Sequence, residues 1–252
     1  MNNERYLNAT DILDYRHPLI QALIAERNWQ SLSPYERVGA VYNFVRNEIT
    51  FGYNRSDNLP ASAVLKDGYG QCNTKSTLVM ALFRALGIPC RFHGFTIYND
   101  LQKGAIPVSL FWLAPRKILH SWVEVLWQGE WLDLEGFILD DRYLSAVQGK
   151  FADRNGAFSG YGIATPCLQK PGVEWSGSNT YIQKDGIADD LGVYDAPDGF
   201  YRERGTNLSG IRRFIFRHLF RHVMNANVKR IRRQADSQPE NRTRPNGGHP
   251  SA

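Results

Sequence analysis

Two segments in the N-terminal half carry apolar residues at the spacing of an α-helix. The first runs from Pro34 to Glu48, and Ser33 precedes it as a residue that can cap a helix N-terminus. The second is apolar on most sides and begins near Cys72, directly after a glycine-rich loop. Gly87 stands where a left-handed residue would end this helix. We therefore predict an amphipathic helix followed by a central, buried helix that carries Cys72 in its first turn.

Alternating apolar and polar residues follow, a pattern typical of β-strands. We predict strands over Cys90–Tyr98, His120–Trp127 and Glu130–Phe137, of which the last two form a hairpin around a Gln128-Gly129 turn. A two-residue turn fixes which side chains share a face of the hairpin. The face toward the core carries Val123, Val125, Leu132 and Leu134. The opposite face carries His120, Trp122, Glu124, Asp133 and Glu135.

The pattern divides the chain into three predicted regions. Residues 1–206 form one domain, with a core over about residues 35–140 and an ordered, largely aperiodic extension over 141–206. Residues 207–234 form a basic amphipathic helix, and residues 235–252 have the composition of a disordered tail. Helical and strand patterns within one domain predict an α+β fold, in which the central helix packs on an antiparallel sheet.

The net charge of +5 is concentrated in the predicted C-terminal helix. Between Asn207 and Ala235 the chain holds eight basic and no acidic residues, so the rest of the chain is slightly acidic. We expect the helix to dock on the protein's own domain, with an acidic membrane surface or a protein partner as the alternative. Nucleic acid is the least favoured partner, because only Phe216 and Phe220 offer aromatic rings for stacking. The apolar stripe of this helix consists of Ile211, Phe214, Ile215, Leu219, Val223 and Ala226.

Cysteine usage and the absence of long apolar runs indicate the compartment. The first 14 residues lack the apolar run of a signal peptide, and no segment has the length of a membrane span. Three widely spaced cysteines argue against a disulfide framework and for reduced thiols. We therefore expect a cytoplasmic protein.

One thiol and one imidazole indicate nucleophilic chemistry. Cys72 opens the central helix and His120 lies on the first hairpin strand. A helix N-terminus and a nearby imidazolium both favour the thiolate, which is the reactive species. The carboxylate that could orient His120 is its near diagonal neighbour Glu135, and Asp133 is the alternative if the turn is longer. Each residue alone would more often be structural; their combination favours a catalytic set.

Other residues near this set have weaker signals. The Gln71 amide is a candidate hydrogen-bond donor to the substrate oxyanion. Trp122 and Trp131 are either walls of a substrate cleft or strand packing residues. Cys90 and His93 have zinc-like spacing but lack a second pair of ligands. We expect no metal and no organic cofactor.

Four motifs together resemble the transglutaminase-like superfamily, which includes tissue transglutaminases, peptide:N-glycanases and many microbial thiol proteins. The resemblance covers roughly Tyr35 to Gly136. It implies a papain-like α+β fold with a Cys–His–acid triad of Cys72, His120 and Glu135, where the family usually has Asp at the third position. The motifs are Gly70-Gln71-Cys72, the run from Leu82 to Arg91, His120-Ser121-Trp122-Val123-Glu124-Val125, and Trp131-Leu132-Asp133-Leu134-Glu135.

The sequence supports an enzyme hypothesis and leaves two rivals open. The favoured hypothesis is a thiol enzyme that forms a thioester with a peptide or another amide-bearing substrate and passes the acyl group to water or an amine. The first rival is a binding module without catalysis that recruits a partner through its cleft and basic helix. The second is a peripheral membrane or nucleic-acid adaptor.

Overall fold

A four-stranded antiparallel sheet and the helices packed on it form the core of the protein, so the predicted α+β fold is confirmed. The computed structural model describes residues 3–107, 115–208 and 210–236. The helices are α1 (Pro18–Glu26), α2 (Pro34–Asn47), α3 (Ala61–Asp67), α4 (Cys72–Ala85), α5 (Asp141–Lys150), α6 (Pro197–Arg204), α7 (Gly210–Ile215) and α8 (Arg221–Asp236). The strands are β1 (Thr50–Phe51), β2 (Tyr69–Gly70), β3 (Cys90–Tyr98), β4 (Lys117–Trp127), β5 (Glu130–Leu134), β6 (Phe158–Gly160), β7 (Ile163–Thr165) and β8 (Ile187–Tyr194).

The central helix α4 is buried from Asn73 to Arg84, as its apolar pattern predicts. It packs on β3 and β4 on one side and on α2 on another. Gly87 has a φ of 73° directly after the helix, the left-handed conformation predicted for its end. The Lys75 ammonium donates hydrogen bonds to the carbonyl oxygens of Arg46 and Ile138, 3.1 and 3.0 Å away. These bonds join α4 to the end of α2 and to the turn after β5.

The β4–β5 hairpin has the predicted register but a shorter second strand. Trp127 pairs with Glu130 around a turn in which both Gln128 and Gly129 have positive φ. The strand β5 ends at Leu134, whereas the alternation predicted it as far as Phe137. A short 3₁₀ helix, Gly136–Ile138, replaces the end of the strand, and Glu135 precedes it with a non-strand ψ of −26°.

The polar face of the hairpin is covered, a further difference from the sequence pattern. Trp122 and Glu124 are each only 4% exposed, although alternation placed them opposite the apolar core face. Trp122 packs against Phe95 of the neighbouring strand and against Tyr181 of the extension. The aperiodic extension therefore forms a second layer over the sheet.

The extension also supplies a strand that the sequence did not predict. β8 pairs antiparallel with β3 and completes the sheet in the order β5-β4-β3-β8. Its register shifts twice, between Gly94 and Phe95 and between Thr96 and Ile97. This irregular pairing accounts for the absence of a clear two-residue alternation in its sequence.

The C-terminal helix packs on the domain through a different face from the one expected. A π-helical turn, Phe216–Phe220, joins α7 to α8. Because this turn has more residues than an α-helical turn, the side chains that follow it point in other directions than a regular period of 3.6 residues would give. The domain-facing side chains are Phe216, Phe220, Met224, Val228 and Ile231, of which the last three are buried and the two phenylalanines are partly buried. The stripe expected to dock there is instead exposed at Ile211, Phe214, Ile215, Leu219 and Val223.

Polar contacts fasten α8 to the rest of the domain. Arg232 forms an ion pair with Asp140 at 2.6 Å, and Asn225 accepts a 2.7 Å hydrogen bond from the Tyr53 amide. Within the described ranges, no helix combines the length and hydrophobicity of a bilayer-crossing segment. Beyond Asp236, the predicted tail lies outside the described residues.

Candidate active site

Cys72 is the first residue of α4, and the residues before it fit closely against that helix. A Cβ on Gly70 would lie 2.8 Å from Thr74 Oγ1 and 2.9 Å from Lys75 Cγ, so the glycine permits this close approach. The backbone N–H of Gln71 donates a hydrogen bond to Thr74 Oγ1 at 3.1 Å and closes the first turn. Cys72 itself is half-buried and carries a free thiol. The first-turn amides of α4 have no acceptor within the helix and point toward this end.

His120 lies on β4 opposite Phe95, and its side chain is completely buried. The ring nitrogen Nε2 is 2.7 Å from Glu135 Oε1. The other ring nitrogen, Nδ1, has no hydrogen-bond partner that meets ordinary geometric limits among the described residues. Cys72 is nevertheless near enough to this imidazole to raise its pKa. The structure thus brings together the thiol, the imidazole and the carboxylate.

The Glu135 carboxylate is held by the extension as well as by His120. Its second oxygen, Oε2, accepts hydrogen bonds from the amides of Ile182 and Gln183, 2.8 and 2.9 Å away. The Glu135 amide donates to the Thr180 carbonyl at 3.0 Å. Every oxygen of this fully buried carboxylate therefore faces a donor.

Asp133, the alternative acid, has a different partner. It pairs with Glu124 across the hairpin, as the register predicts, and its carboxylate accepts a 2.6 Å hydrogen bond from the Tyr181 hydroxyl. Burial raises the pKa of Asp133. Of the two candidate acids, Glu135 is the one in contact with His120.

Two opposing effects set the charge of His120. Burial lowers the pKa of the imidazole, but interactions with Cys72 and Glu135 together outweigh burial and raise this pKa to about 10. Cys72 supplies the stronger of the two raising effects. The imidazole is therefore cationic at neutral pH.

This electrostatic balance predicts a shifted titration that depends on Cys72. We expect the ring signals of His120, assigned with a His120→Asn variant, to titrate far above 6.5 and toward 10 in NMR spectra. Because the folded-state pKa is raised, the stabilisation by the imidazolium is complete below about pH 6.5 and is lost as pH rises through about 10. Cys72→Ala should lower the pKa of His120. A midpoint near 6.5 that this variant does not move would contradict the assignment.

A hydrogen-bond network around Asp57 supports the helix start, and the sequence analysis missed it. Asp57 Oδ1 accepts from Gln71 Nε2 and Asn73 Nδ2, each 3.3 Å away. Its other oxygen accepts from the backbone and side chain of Asn207 at 3.1 and 3.0 Å. Asn207 in turn accepts a 2.6 Å bond from the Leu119 amide, next to His120. The turn-rich sequence around Asp57 signalled only a loop.

A cavity of about 170 Å³ opens beside Cys72. Gln71 lines it, although the Gln71 side chain is already bonded to the Asn54 amide and to Asp57. The C-terminal helix contributes one wall. The apolar lining consists mainly of Phe51, Tyr53, Ile106, Ile118, Leu119, Ile215, Phe216, Phe220 and Met224.

The two tryptophans that the sequence analysis suggested as possible walls of a substrate cleft do not line this cavity. Trp122 packs between Phe95 and Tyr181, and Trp131 contacts Tyr6 and the Arg91 guanidinium. Neither belongs to the described lining. Both tryptophans extend from the hairpin and pack on neighbouring side chains. This agrees with the second alternative, in which they are strand packing residues.

One cluster has ligand atoms close enough for a metal ion. Atoms of His93, Glu124 and Asp133 lie within 4.8 Å of one another. Glu124 also forms an ion pair with Arg91, and Asp133 accepts from Tyr181. Since Arg91 and His93 hold the two oxygens of Glu124 and Tyr181 holds one oxygen of Asp133, the cluster is a hydrogen-bonded polar network on the covered face of the sheet.

Comparisons with known proteins connect this geometry to a family. The model of a family described as the Transglutaminase-like superfamily matches residues 23–136. No curated protein matches the chain in sequence. A solved structure of a proposed cysteine protease from Cytophaga hutchinsonii is 13% identical with a TM-score of 0.45, and the alignment covers 79% of this chain and 49% of that one. Red sea bream transglutaminase is 16% identical with a TM-score of 0.29, over 50% of this chain and 25% of that one.

The chain thus spans about half the length of the first of these structures and a quarter of the second. The family match includes the motifs around Cys72, His120 and Glu135 on which the resemblance was based. Residues 23–136 of this protein therefore belong to the transglutaminase-like superfamily.

Proposed function

We propose that the protein is a thiol hydrolase that cleaves an amide through a thioester on Cys72. The family match supports a cysteine-based enzyme in general. The observation that carries the specific proposal is the buried 2.7 Å contact between His120 and Glu135, combined with the electrostatic interaction of His120 with Cys72. A thiol, an imidazole and a carboxylate in this relation are the components of a nucleophilic triad.

The reaction follows from the charges of these three groups. The Cys72 thiolate attacks the amide carbonyl, and a C–S bond forms while the carbonyl oxygen becomes an oxyanion. Backbone amides at the start of α4 stabilise this oxyanion. The C–N bond then breaks, and the His120 imidazolium donates its proton to the departing amine. Glu135 holds the ring orientation and stabilises its charged form.

Water completes the cycle. Neutral His120 accepts a proton from water, which attacks the thioester carbonyl. The C–S bond breaks, a carboxylic acid leaves, and the thiolate and imidazolium are restored. We favour water over an amine as the acyl acceptor because water is always present and no motif of the sequence identifies an amine-acceptor site. Free cysteines at positions 72, 90 and 167 suit the reducing cytoplasm that we propose as its compartment.

The lining of the cavity supports an apolar group on the substrate. Cys72 shares this cavity with Phe51, Ile118, Phe220 and Met224. An apolar cavity of about 150 Å³ is large enough to bind benzene, so the cavity of about 170 Å³ can hold an aromatic or branched aliphatic group. We therefore propose amides whose acyl part carries such a group.

A panel of acyl anilides tests both the reaction and this preference. We expect N-acetylphenylalanine anilide to give an acyl adduct on Cys72 in intact-mass spectra and to release aniline, whereas the glutamate analogue does so at least about tenfold more slowly. The reason is that a carboxylate loses its hydration beside the mainly apolar lining, a penalty that Arg55 and Arg213, which also line the cavity, offset only in part. Absence of both adduct and aniline across the panel would contradict the hydrolase; equal rates would contradict only the substrate class.

Two variants on the C-terminal helix distinguish an effect of filling the cavity from a general effect of introducing a tryptophan. Met224→Trp fills the cavity and should reduce the preference for the phenylalanine substrate. Leu219→Trp introduces the same side chain on the exposed face of that helix and should leave the preference unchanged.

A further inference from the structure

Two arginine side chains line the cavity that also contains Cys72. Arg55 lies in the loop between β1 and α3 and is half-buried, whereas Arg213 lies on α7 and is exposed. The two residues come from distant parts of the sequence. The fold, and not a local basic run, therefore brings both cations to one cavity.

Neither guanidinium has a hydrogen bond or an ion pair with any residue that the structure describes. Other arginines of the domain are paired: Arg46 contacts Glu174, and Arg232 contacts Asp140. A guanidinium presents N–H donors in a planar arrangement that matches a carboxylate. Two such groups without partners in one cavity indicate a ligand that carries an anionic group.

The acidic residue of the described lining does not neutralise these cations. It is Asp57, and one of its oxygens accepts hydrogen bonds from Gln71 and Asn73. The other oxygen accepts from the backbone and the side chain of Asn207. Because both oxygens of Asp57 are occupied, the cavity retains two cations that are available to a ligand, and its potential favours an anion.

The cations and the apolar residues of the cavity differ in depth. Phe51, Tyr53 and Met224 are buried, whereas Arg213 is exposed and its charge therefore lies where the cavity meets solvent. A substrate can thus place an apolar acyl group inward and an anionic group outward. The leaving amine departs toward solvent, so the anionic group belongs to that part of the substrate.

We propose that Arg55 and Arg213 bind a carboxylate on the leaving amine, so that the substrate is an N-acyl amino acid or a peptide with a free terminal carboxylate. This inference rests on the proposed amide hydrolysis at Cys72 and adds the class of the leaving group. Hydrolysis then releases the acyl part as a carboxylic acid and the remainder as a free amino acid or peptide. The two arginines act as specificity residues, because the bond changes occur at Cys72.

A matched pair of leaving groups tests the proposal. N-acetylphenylalanine 3-carboxyanilide carries a carboxylate on the leaving amine, and the 3-carbamoylanilide carries a neutral group of similar size. We expect kcat/KM to be about tenfold higher for the carboxylate, mainly through a lower KM, because both arginines hold the anion before and during the reaction. High salt should reduce this ratio, since Arg213 is exposed.

Three arginine variants connect the preference to the cavity. Arg55→Gln and Arg213→Gln should each lower the ratio to about threefold or less, with turnover of the neutral anilide within about threefold of the starting value. Arg217→Gln is the matched control, because Arg217 is also exposed but lies outside the described lining, and it should keep the ratio. Arg213 is exposed, so its variant tests the proposal even if replacement of the half-buried Arg55 affects folding.

Calorimetric binding of the two anilides to the Cys72→Ala protein separates this proposal from hydrolysis. Tighter binding of the carboxylate, lost when Arg55→Gln or Arg213→Gln is added, would support the anion subsite even if the unaltered protein cleaved neither anilide. Equal binding and equal turnover of the two anilides would overturn the subsite and leave hydrolysis standing. Equal losses in the Arg213 and Arg217 variants would also overturn it, because the preference would then follow overall charge.

Discussion

Cys72→Ala is expected to abolish acyl-adduct formation and to reduce amide turnover by roughly 10⁴-fold or more, because the covalent step loses its nucleophile. The effect should fall on kcat, since the cavity that binds the substrate remains. Folding should change little: Cys72 is half-buried at a helix start, and we expect a loss of about 1 kcal/mol or less in the free energy of unfolding. Aniline release and intact-mass spectra measure the first effect, and urea unfolding measures the second.

Cys167→Ala provides a matched control. Cys167 is also a half-buried free thiol, and it lies outside the described lining of the Cys72 cavity. Its replacement should leave turnover within about threefold of the starting value. If Cys72→Ala retained turnover while Cys167→Ala did not, the thiol assignment would be wrong. If both variants behaved like the unaltered protein in cells, the binding module without catalysis would become the better hypothesis.

Local sequence patterns predicted the core well, because each relevant element is specified by its own residues. Apolar residues on most sides of the predicted helix identified α4, and Gly87 marked its end. The Gln128-Gly129 turn fixed the hairpin register, in which Glu124 pairs with Asp133. From that register alone, Glu135 was preferred over Asp133 as the neighbour of His120, and the 2.7 Å contact agrees with that preference.

Features that depend on distant segments escaped the sequence patterns. The amides of Ile182 and Gln183 fix Glu135, but they come from an aperiodic region with no local signal. Asp57 connects the start of α4 to Asn207, a contact between residues far apart in the chain. Such contacts are decided by tertiary packing, which the spacing of apolar residues does not encode.

The C-terminal helix illustrates a different limitation. Its sequence contains two apolar sets, one with Leu219 and one with Phe220 and Met224. A single period of 3.6 residues selected the first set as the docking face. The π-helical turn over Phe216–Phe220 shifts the period, and the second set is the one that packs on the domain. Hydrophobic periodicity therefore identified the helix but not its orientation.

Glu135→Gln is expected to lower kcat by roughly 10²- to 10⁴-fold while the KM changes little, because it reverses the hydrogen-bonding polarity at His120. The amides of Ile182 and Gln183 can only donate, so the carboxamide oxygen must face them. Its NH₂ group then points at His120 Nε2, which must accept and cannot carry a proton. The ring is held neutral, and it can no longer protonate the leaving amine.

Glu135→Ala should in addition destabilise the fold. It leaves the two backbone donors and a fully buried imidazole without their acceptor, which we expect to reduce the free energy of unfolding by about 3–5 kcal/mol. The glutamine variant should lose less, since it keeps an acceptor for the two amides. Urea unfolding of both variants separates this structural effect from the catalytic one.

Asp133→Asn is the control that identifies the acid. Asp133 accepts its hydrogen bond from the Tyr181 hydroxyl, and an asparagine oxygen can still accept it, so kcat should stay within about threefold. NMR titration should show the pKa of His120 lowered in Glu135→Gln and unchanged in Asp133→Asn. The opposite pattern, with a large loss of kcat only in Asp133→Asn, would require a rearranged site in which Asp133 reaches the imidazole. Because Glu135 contacts the ring with one oxygen and the extension with the other, that rearrangement would also disrupt the packing of residues 180–183.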